Sequence, residues 1–360
     1  MIINQVDYEK ILSGTANSKD ILYDKVGYTS EGKIVGDAPI TINNDIYEFL
    51  YRNEGIKFTD KSGQYSAMLT PADNYTWIKT AIPDVSWRDI CYGDGKYVAV
   101  AYETTTGVYS EDGINWYSIT LPAANTWWSV CYGADKFVAV AYDSNSVAYS
   151  TNGRIRWTQA ATSITARWRS VCYGNNRFVI IADNGKAAYS TNGINWSSAT
   201  LPSGSYSQTV CYGNGKFVTV DFDRDTAAYS TDGINWTQTS MPSRAAWISV
   251  CYAEDKFVAV AYDNKVAAYS TDGITWTQTS YPVSSAHAKI CYGNNRFVAI
   301  NNISSGTAAY SEDGITWVSK SMSVSTGFRS VCYGNGKFVA ITTSSTGAYL
   351  LPNTYDIINL

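Results

Sequence analysis

The 360 residues carry 27 lysines and arginines against 31 aspartates and glutamates, a formal net charge of -4 with only 16% charged residues. A chain of this length can bury a large core, and its charge balance lacks the basic stripe of a nucleic-acid-binding surface. The N-terminus, MIINQVDYEK, has acids and amides where a secretory leader needs a basic and then an apolar run. No apolar stretch approaches the roughly 20 residues that span a bilayer, so cytosolic synthesis without membrane insertion is the expectation.

Residues 1–62 read as a small module distinct from residues 63–360. Within them Ile11 to Pro39 runs ILSGTANSKDILYDKVGYTSEGKIVGDAP, with Thr15-Ala16, Asp20-Ile21-Leu22, Gly27-Tyr28 and Lys33-Ile34-Val35-Gly36 in that order. This succession resembles a bacteriophage tail-fibre repeat, with Lys25-Val26 in place of that family's usual lysine-threonine pair. The resemblance implies a tail-attachment module that meets other tail or baseplate proteins. It also implies a virion or tail particle assembled in the bacterial cytoplasm, with a homo-oligomeric fibre. An ordinary small α+β cap is the other reading of a stretch this short.

From there the chain repeats. Cysteines fall at Cys91, Cys131, Cys172, Cys211, Cys251, Cys291 and Cys332, so successive gaps are 40, 41, 39, 40, 40 and 41 residues, each cysteine followed by tyrosine. One cysteine per repeat is a marker of periodicity rather than a disulfide framework. With a single histidine, His287, and no CxxC pair, neither a metal centre nor a cofactor is expected. The unit that begins at Trp127 reads WWSVCYGADKFVAVAYDSNSVAYSTNGRIRWTQ. Its β-rich runs are separated by tight turns such as Asp94-Gly95, Asn214-Gly215 and Asn335-Gly336, which suit hairpins. Four short antiparallel strands in a period of about 40 residues are a propeller blade.

The motif S-x-D/N-G-x-x-W recurs from Ser110 to Trp116, Ser190 to Trp196, Ser230 to Trp236, Ser270 to Trp276 and Ser311 to Trp317, and with one extra residue from Ser150 to Trp157. The seventh repeat ends at GAYLLPNTYDIINL without it, whereas Asp73-Asn74-Tyr75-Thr76-Trp77 supplies its right half ahead of the first repeat. The expected fold is therefore all-β, a seven-bladed propeller of four-stranded blades closed by an N-terminal strand, which removes its open edges. The motif resembles the Asp-box of sialidase-like propellers, where it is structural and lies away from catalysis.

Three functional readings stay open: a glycan-recognising receptor-binding protein, a sialidase-like glycoside hydrolase, and a purely structural tail component. A hydrolase needs a pair of carboxyl groups, or a tyrosine with a glutamate, around its ligand. The chain offers recurring arginines at Arg88, Arg169 and Arg329 but no distinctive glutamate partner, so no catalytic residues are expected.

Blade polarity puts the YGNGK-type turns and the S-x-D/N-G turns, which barely change between repeats, on one face. The other face carries the second-to-third turns (ETTTG, DSNS, DNGK, DRDT, DNK, NISSG and TSSTG) and the connectors between blades, which differ in every repeat. Diversity marks this second face as the candidate binding surface, with bacterial cell-surface carbohydrate as the partner; relaxed surface drift is the other reading of the same pattern. Four residues before each cysteine stand Trp87, Trp127, Trp168, Ser207, Trp247, His287 and Phe328, with Trp128 adjacent. The six aromatic or imidazole side chains among these, with Trp128, are the candidate ligand-binding residues; the alternative is that they wedge between blades. Glu103, Asp143, Asp183, Asp223 and Asp263 begin the variable turns and read as turn formers.

Overall fold

In each repeat the two residues after the cysteine-tyrosine-glycine segment (cysteine-tyrosine-alanine in the fifth) adopt positive φ. Asp94 and Gly95 stand at 47° and 72°, Asn214 and Gly215 at 42° and 73°, and even Ala134 and Asp135 at 42° and 54°. Both central residues of a type I′ turn need this conformation, so the first two strands of every blade fold back as a two-residue hairpin. Glycine accepts it without the steric cost that alanine bears.

The computed structural model describes residues 77–350, except 155, 263–264, 284–288, 303–305, 323 and 325–326. It also gives the backbone of the strands Gly27–Tyr28, Ile34–Val35, Glu48–Arg52, Gly55–Thr59, Tyr65–Pro71 and Tyr355–Asn359. The chain divides into two units, Met1–Asn74 with Asn353–Leu360, and Tyr75–Pro352. In the first, Gly27–Tyr28 pairs with Ile34–Val35, and a four-stranded antiparallel sheet joins Glu48–Arg52, Gly55–Thr59, Tyr65–Pro71 and Tyr355–Asn359 in that order. Two strands within the span 63–360 thus belong to this unit. Apart from the two short strands, the segment Ile11 to Pro39 lies outside the described residues.

The second unit is a propeller of seven four-stranded antiparallel blades. The first strands, Trp87–Gly93, Trp127–Gly133, Trp168–Gly174, Ser207–Gly213, Trp247–Ala253, Lys289–Gly293 and Phe328–Gly334, each touch their neighbours, and the seventh touches the first. The last blade takes its outer strand from Trp77–Ala81, which pairs with Thr346–Leu350. Trp77 is buried against Val298, Phe328 and Leu350, and its Nε1–H donates to the Tyr310 hydroxyl at 2.7 Å.

The core lies between blades. Trp87, Ile90 and Tyr97 of blade 1, for example, close on Val339 and Ile341 of blade 7. A second contact recurs around the ring. A Cβ added to Gly93, Gly133, Gly174, Gly213, Gly293 or Gly334 would sit 1.9–2.1 Å from the tyrosine ring of the next blade, Tyr132, Tyr173, Tyr212, Tyr252, Tyr333 and Tyr92 in turn. Blade 5 alone has Ala253 at this place, and Tyr292 of blade 6 donates its hydroxyl to the neighbouring Glu254 instead.

The D/N-G turns satisfy themselves. Ser110 Oγ donates to Asp112 Oδ1 and accepts from Gly113 N–H, while the Ile114 and Asn115 N–H groups both donate to Oδ1 at 2.8 Å. Burial pushes the Asp112 carboxyl up, but the bonds from Asn115, Ile114 and Ser110 outweigh it and hold the group at about 2. Asp232, Asp272 and Asp313 are lowered by the same arrangement, whereas blades 2 and 3 carry Asn152 and Asn192.

Two outcomes are expected. Removing residues 1–81 strips the outer strand from Thr346–Leu350 and leaves an unpaired edge, so light scattering should show self-association and calorimetry a lower melting temperature. A truncated chain that stays monomeric and equally stable would refute closure by this strand. The second outcome concerns acid. A carboxyl whose folded pKa lies below its unfolded value of about 3.9 stabilises the fold above that pH and loses the contribution as pH falls through the folded value. Melting temperature should therefore drop between about pH 4 and pH 2, and Asp232→Asn should flatten that limb.

Candidate ligand-binding face

In blades 1 to 5 the connector entering the blade is stitched to the second-to-third turn of the same blade. The N–H eleven residues after the cysteine donates to the carbonyl five residues before it: Tyr102 to Ser86 (2.8 Å), Tyr142 to Thr126 (2.8 Å), Phe222 to Tyr206 (2.9 Å) and Tyr262 to Ala246 (2.8 Å). In blade 3 Asp183 makes the same bond to Arg167 at 3.4 Å. The variable turns and the connectors thus form one surface. Glu103, Asp143 and Asp223 hold left-handed φ of 50°, 51° and 55° there, as turn formers do. Asp263 lies outside the described residues.

Five of the predicted aromatic residues do not reach this surface. Trp87, Trp127, Trp168, Trp247 and Phe328 are each 0% exposed. Their cross-strand partners explain why: the register sets Trp87 opposite Ala101, Trp127 opposite Ala141, Trp168 opposite Ala182 and Trp247 opposite Ala261. The small partner leaves room for the indole between blades. The Nε1–H groups of Trp87, Trp127 and Trp247 bond to the carbonyls of Pro83, Ala123 and Ser243 within the connector. These rings wedge the blades and offer no face for a sugar, which corrects the expected stacking role. Blade 4 inverts the pair. Ser207 lies opposite Asp221, which accepts from Ser207 Oγ and Thr226 Oγ1, each at 2.6 Å, and from the Tyr206 N–H. His287 lies outside the described residues.

Trp128 is different because the first strand contains a bulge. Trp127 pairs with Ala141 and Ser129 with Val140, so Trp128 is the extra residue between them. The same shift frees Arg88, Arg169 and Arg329 in their blades. The residue three before the cysteine therefore turns to the variable face, beside the residue eleven after it. Trp128 and Tyr142 pack at 4.9 Å between ring centroids. The Arg88 guanidinium lies 4.7 Å from the centroids of both Tyr102 and Trp128, and that of Arg169 lies 4.7 Å from both Trp128 and Tyr142. A continuous cation–π stack thus crosses blades 1 to 3. Arg169 Nε and Nη2 donate to Asp183 Oδ2 at 2.8 and 2.6 Å, and Arg167 Nε lies 2.8 Å from Oδ1. Farther round the same face Tyr206, Phe222 and Tyr262 form a second aromatic run, with centroids 5.9 and 6.2 Å apart.

Below the stack a polar belt ties the first strands together. Asp89 accepts from Ser129 Oγ (2.8 Å), Val130 N–H (3.1 Å) and Ser330 Oγ (2.7 Å), and Lys289 Nζ lies 3.5 Å from it. The seven cysteines of these strands are free thiols, and burial raises the pKa of each. Among the described residues no three His, Cys, Asp or Glu side chains gather as a metal-binding group.

The sequence points to the stack only indirectly. Arginine recurs three residues before the cysteine, and aromatic residues stand eleven after it at Tyr102, Tyr142, Phe222 and Tyr262. Nothing in the sequence joins that second column to the first, because their relation is a matter of cross-strand register.

Residues 200–328 match a family described as the DUF6242 beta propeller domain. No curated protein matches. Among solved structures, virginiamycin B lyase from Staphylococcus aureus is similar with a TM-score of 0.68 at 11% identity, over 76% of this chain and 99% of that one. YCF48 bound to D1 peptide is similar at 0.64 and 14%, over 79% and 100%. The Neurospora crassa Pan2 WD40 domain is similar at 0.62 and 8%, over 78% and 97%. At these identities the likeness is one of fold.

Thiolates are the reactive form of cysteine. A disulfide-exchange reagent at pH 8 should therefore react more slowly with the seven thiols of the folded protein than with the same seven after denaturation. Modification of the native chain as fast as that of the denatured one would contradict the raised pKa of these half-buried thiols.

Proposed function

We propose that the chain is the receptor-binding protein of a phage or phage-derived tail particle. In this reading residues 1–62 attach it to other tail or baseplate proteins, and the variable face of the propeller recognises a bacterial surface glycan. The observation that carries the glycan reading is the Arg88–Trp128–Arg169 stack with Tyr102 and Tyr142. It lies on the face whose loops differ in every repeat. Guanidiniums held over aromatic rings can still direct N–H groups to acceptors, so the surface offers both apolar planes and donors. Sugars, with apolar ring faces and hydroxyl rims, complement it. The tail assignment rests on the resemblance of Ile11 to Pro39.

The module works without catalysis. The thiols are held protonated by burial. Asp183 is engaged by two arginines, Asp89 by the belt and Asp221 by Ser207 and Thr226. None of these carboxyls is thereby left to pair with another around a ligand at glycosidase spacing.

Purified protein should bind a subset of bacterial cell-wall polysaccharide preparations, without releasing sialic acid or hydrolysing aryl glycosides above background. Trp128→Ala should weaken binding about tenfold or more, as loss of an anchor residue does. Its fold is to be checked by thermal melting. Asp232→Asn, in a turn of the opposite face, should leave binding unchanged. Normal binding by a folded Trp128→Ala variant, or sensitivity confined to Asp232, would overturn the assignment.

A further inference from the structure

The stack around Trp128 covers only part of the aromatic surface of the variable face. In the column eleven residues after the cysteine the blades carry Tyr102, Tyr142, Asp183, Phe222, Tyr262, Asn302 and Thr343 in turn. Blades 6 and 7 thus present no ring there. Blade 3 presents a carboxylate, and the connector into blade 4 adds Tyr206 beside Phe222.

Tyr206, Phe222 and Tyr262 are each half-buried, so part of every ring meets solvent. Phe222 crosses Tyr206 at 71° and Tyr262 at 58°, with centroids 5.9 and 6.2 Å apart. Rings set at such angles make a stepped floor. Their backbone holds the floor in place: the Tyr206 N–H donates to buried Asp221, the Phe222 N–H to the Tyr206 carbonyl and the Tyr262 N–H to that of Ala246. Little freedom remains to be lost when a ligand settles on it. The rim is polar and balanced. Asp223, Arg224, Asp225 and Arg244 are all exposed, and Arg244 pairs with Asp223 at 2.9 Å. Such a rim supplies donors and acceptors without net charge, which suits hydroxyl groups better than an ionic group.

Between this floor and the Trp128 stack stands Arg167, which pairs with Asp183 at 2.8 Å and lies close to the hydroxyls of both Tyr142 and Tyr206. Planar groups therefore follow one another from blade 1 to blade 5, in steps of 4.7–6.2 Å within each of the two groups. An arc of that extent is longer than a single sugar can cover. We infer that Tyr206, Phe222 and Tyr262 form a second group of subsites, for uncharged sugar units, and that with the Trp128 stack they hold an internal stretch of a linear polysaccharide along the arc. The inference rests on the glycan reading and adds the form of the ligand, a chain rather than a terminal sugar. Two groups of contacts joined by one chain reinforce each other, because binding at the first raises the effective concentration at the second.

The bacterial cell-wall polysaccharide that the full-length protein binds is cut by mild acid and sized into disaccharide, tetrasaccharide and octasaccharide fractions, and each is titrated calorimetrically. The octasaccharide should bind the parent at least about tenfold more tightly than the disaccharide. In Phe222→Ala and in Trp128→Ala alike one group of subsites is lost, so most of this gain with length should vanish. Phe222→Leu keeps the apolar bulk without the ring and should behave as Phe222→Ala does, with thermal melting as the check of folding. Thr343→Ala, in the same column beyond the arc, should bind as the parent does. A disaccharide that binds the parent as tightly as the octasaccharide would refute the arc and keep the receptor reading. A length gain that survives both Phe222 substitutions would refute the second group of subsites. Failure to bind any polysaccharide, or binding lost to protease but not to periodate treatment of the preparation, would overturn the glycan reading and the inference with it.

Discussion

The ring stands on one repeated contact, a tyrosine lying where the preceding blade has no side chain. Because the glycine Cβ would occupy the ring itself, the first strands approach as closely as an aromatic plane on bare backbone allows. That spacing brings Asp89 within reach of Ser129 and Ser330 on either side, and it brings Arg88 onto Trp128. A wider ring would lose both the belt and the stack. Ala253 shows the tolerance of the device. One methyl group is accommodated where the tyrosine finds a different anchor in Glu254, as expected when packing relaxes around a local overfill.

The two faces treat polar groups in opposite ways. On the face of the S-x-D/N-G turns, serine hydroxyl, carboxylate and backbone N–H groups close on one another within a few residues. The serine and carboxylate side chains are satisfied within the turn, while backbone carbonyls of the turn accept from neighbouring blades, as Asp232 O does from Arg177 and Thr271 O from Asn214. The variable face is built from long-range neighbours, and its polar groups depend on what adjacent blades provide. Asp183 supplies two arginines in blade 3.

Most of the architecture was legible because it is written in short-range chemistry. Cysteine spacing gave the period, the Asn-Gly and Asp-Gly pairs gave the hairpins, and Trp77 ahead of the first repeat gave the closing strand. The binding face was legible as a side but not as a set of residues. Trp127 and Trp128 are neighbours with the same side chain, and one is core while the other is surface. What separates them is a bulge whose extra residue carries no mark in a single strand, since it exists only relative to Ala141 and Val140 on the partner. The burial of Trp87 likewise depends on Ala101 opposite it. The exchange of Ser207 and Asp221 for a tryptophan–alanine pair becomes intelligible only once the register is known.

The ribosome meets this chain in an awkward order. Strand Tyr65–Pro71 leaves it early, yet its partner Tyr355–Asn359 comes nearly 300 residues later. Trp77–Ala81 must likewise wait for Thr346–Leu350. At about 5–20 residues per second, synthesis of everything between them takes on the order of tens of seconds. Throughout that interval two β-segments ahead of the first repeat have unpaired edges. The small first unit, although encoded first, completes its sheet last. The whole propeller is thus encoded between two adjacent strands of that sheet, and the nascent chain needs protection of those edges until the last strand has emerged.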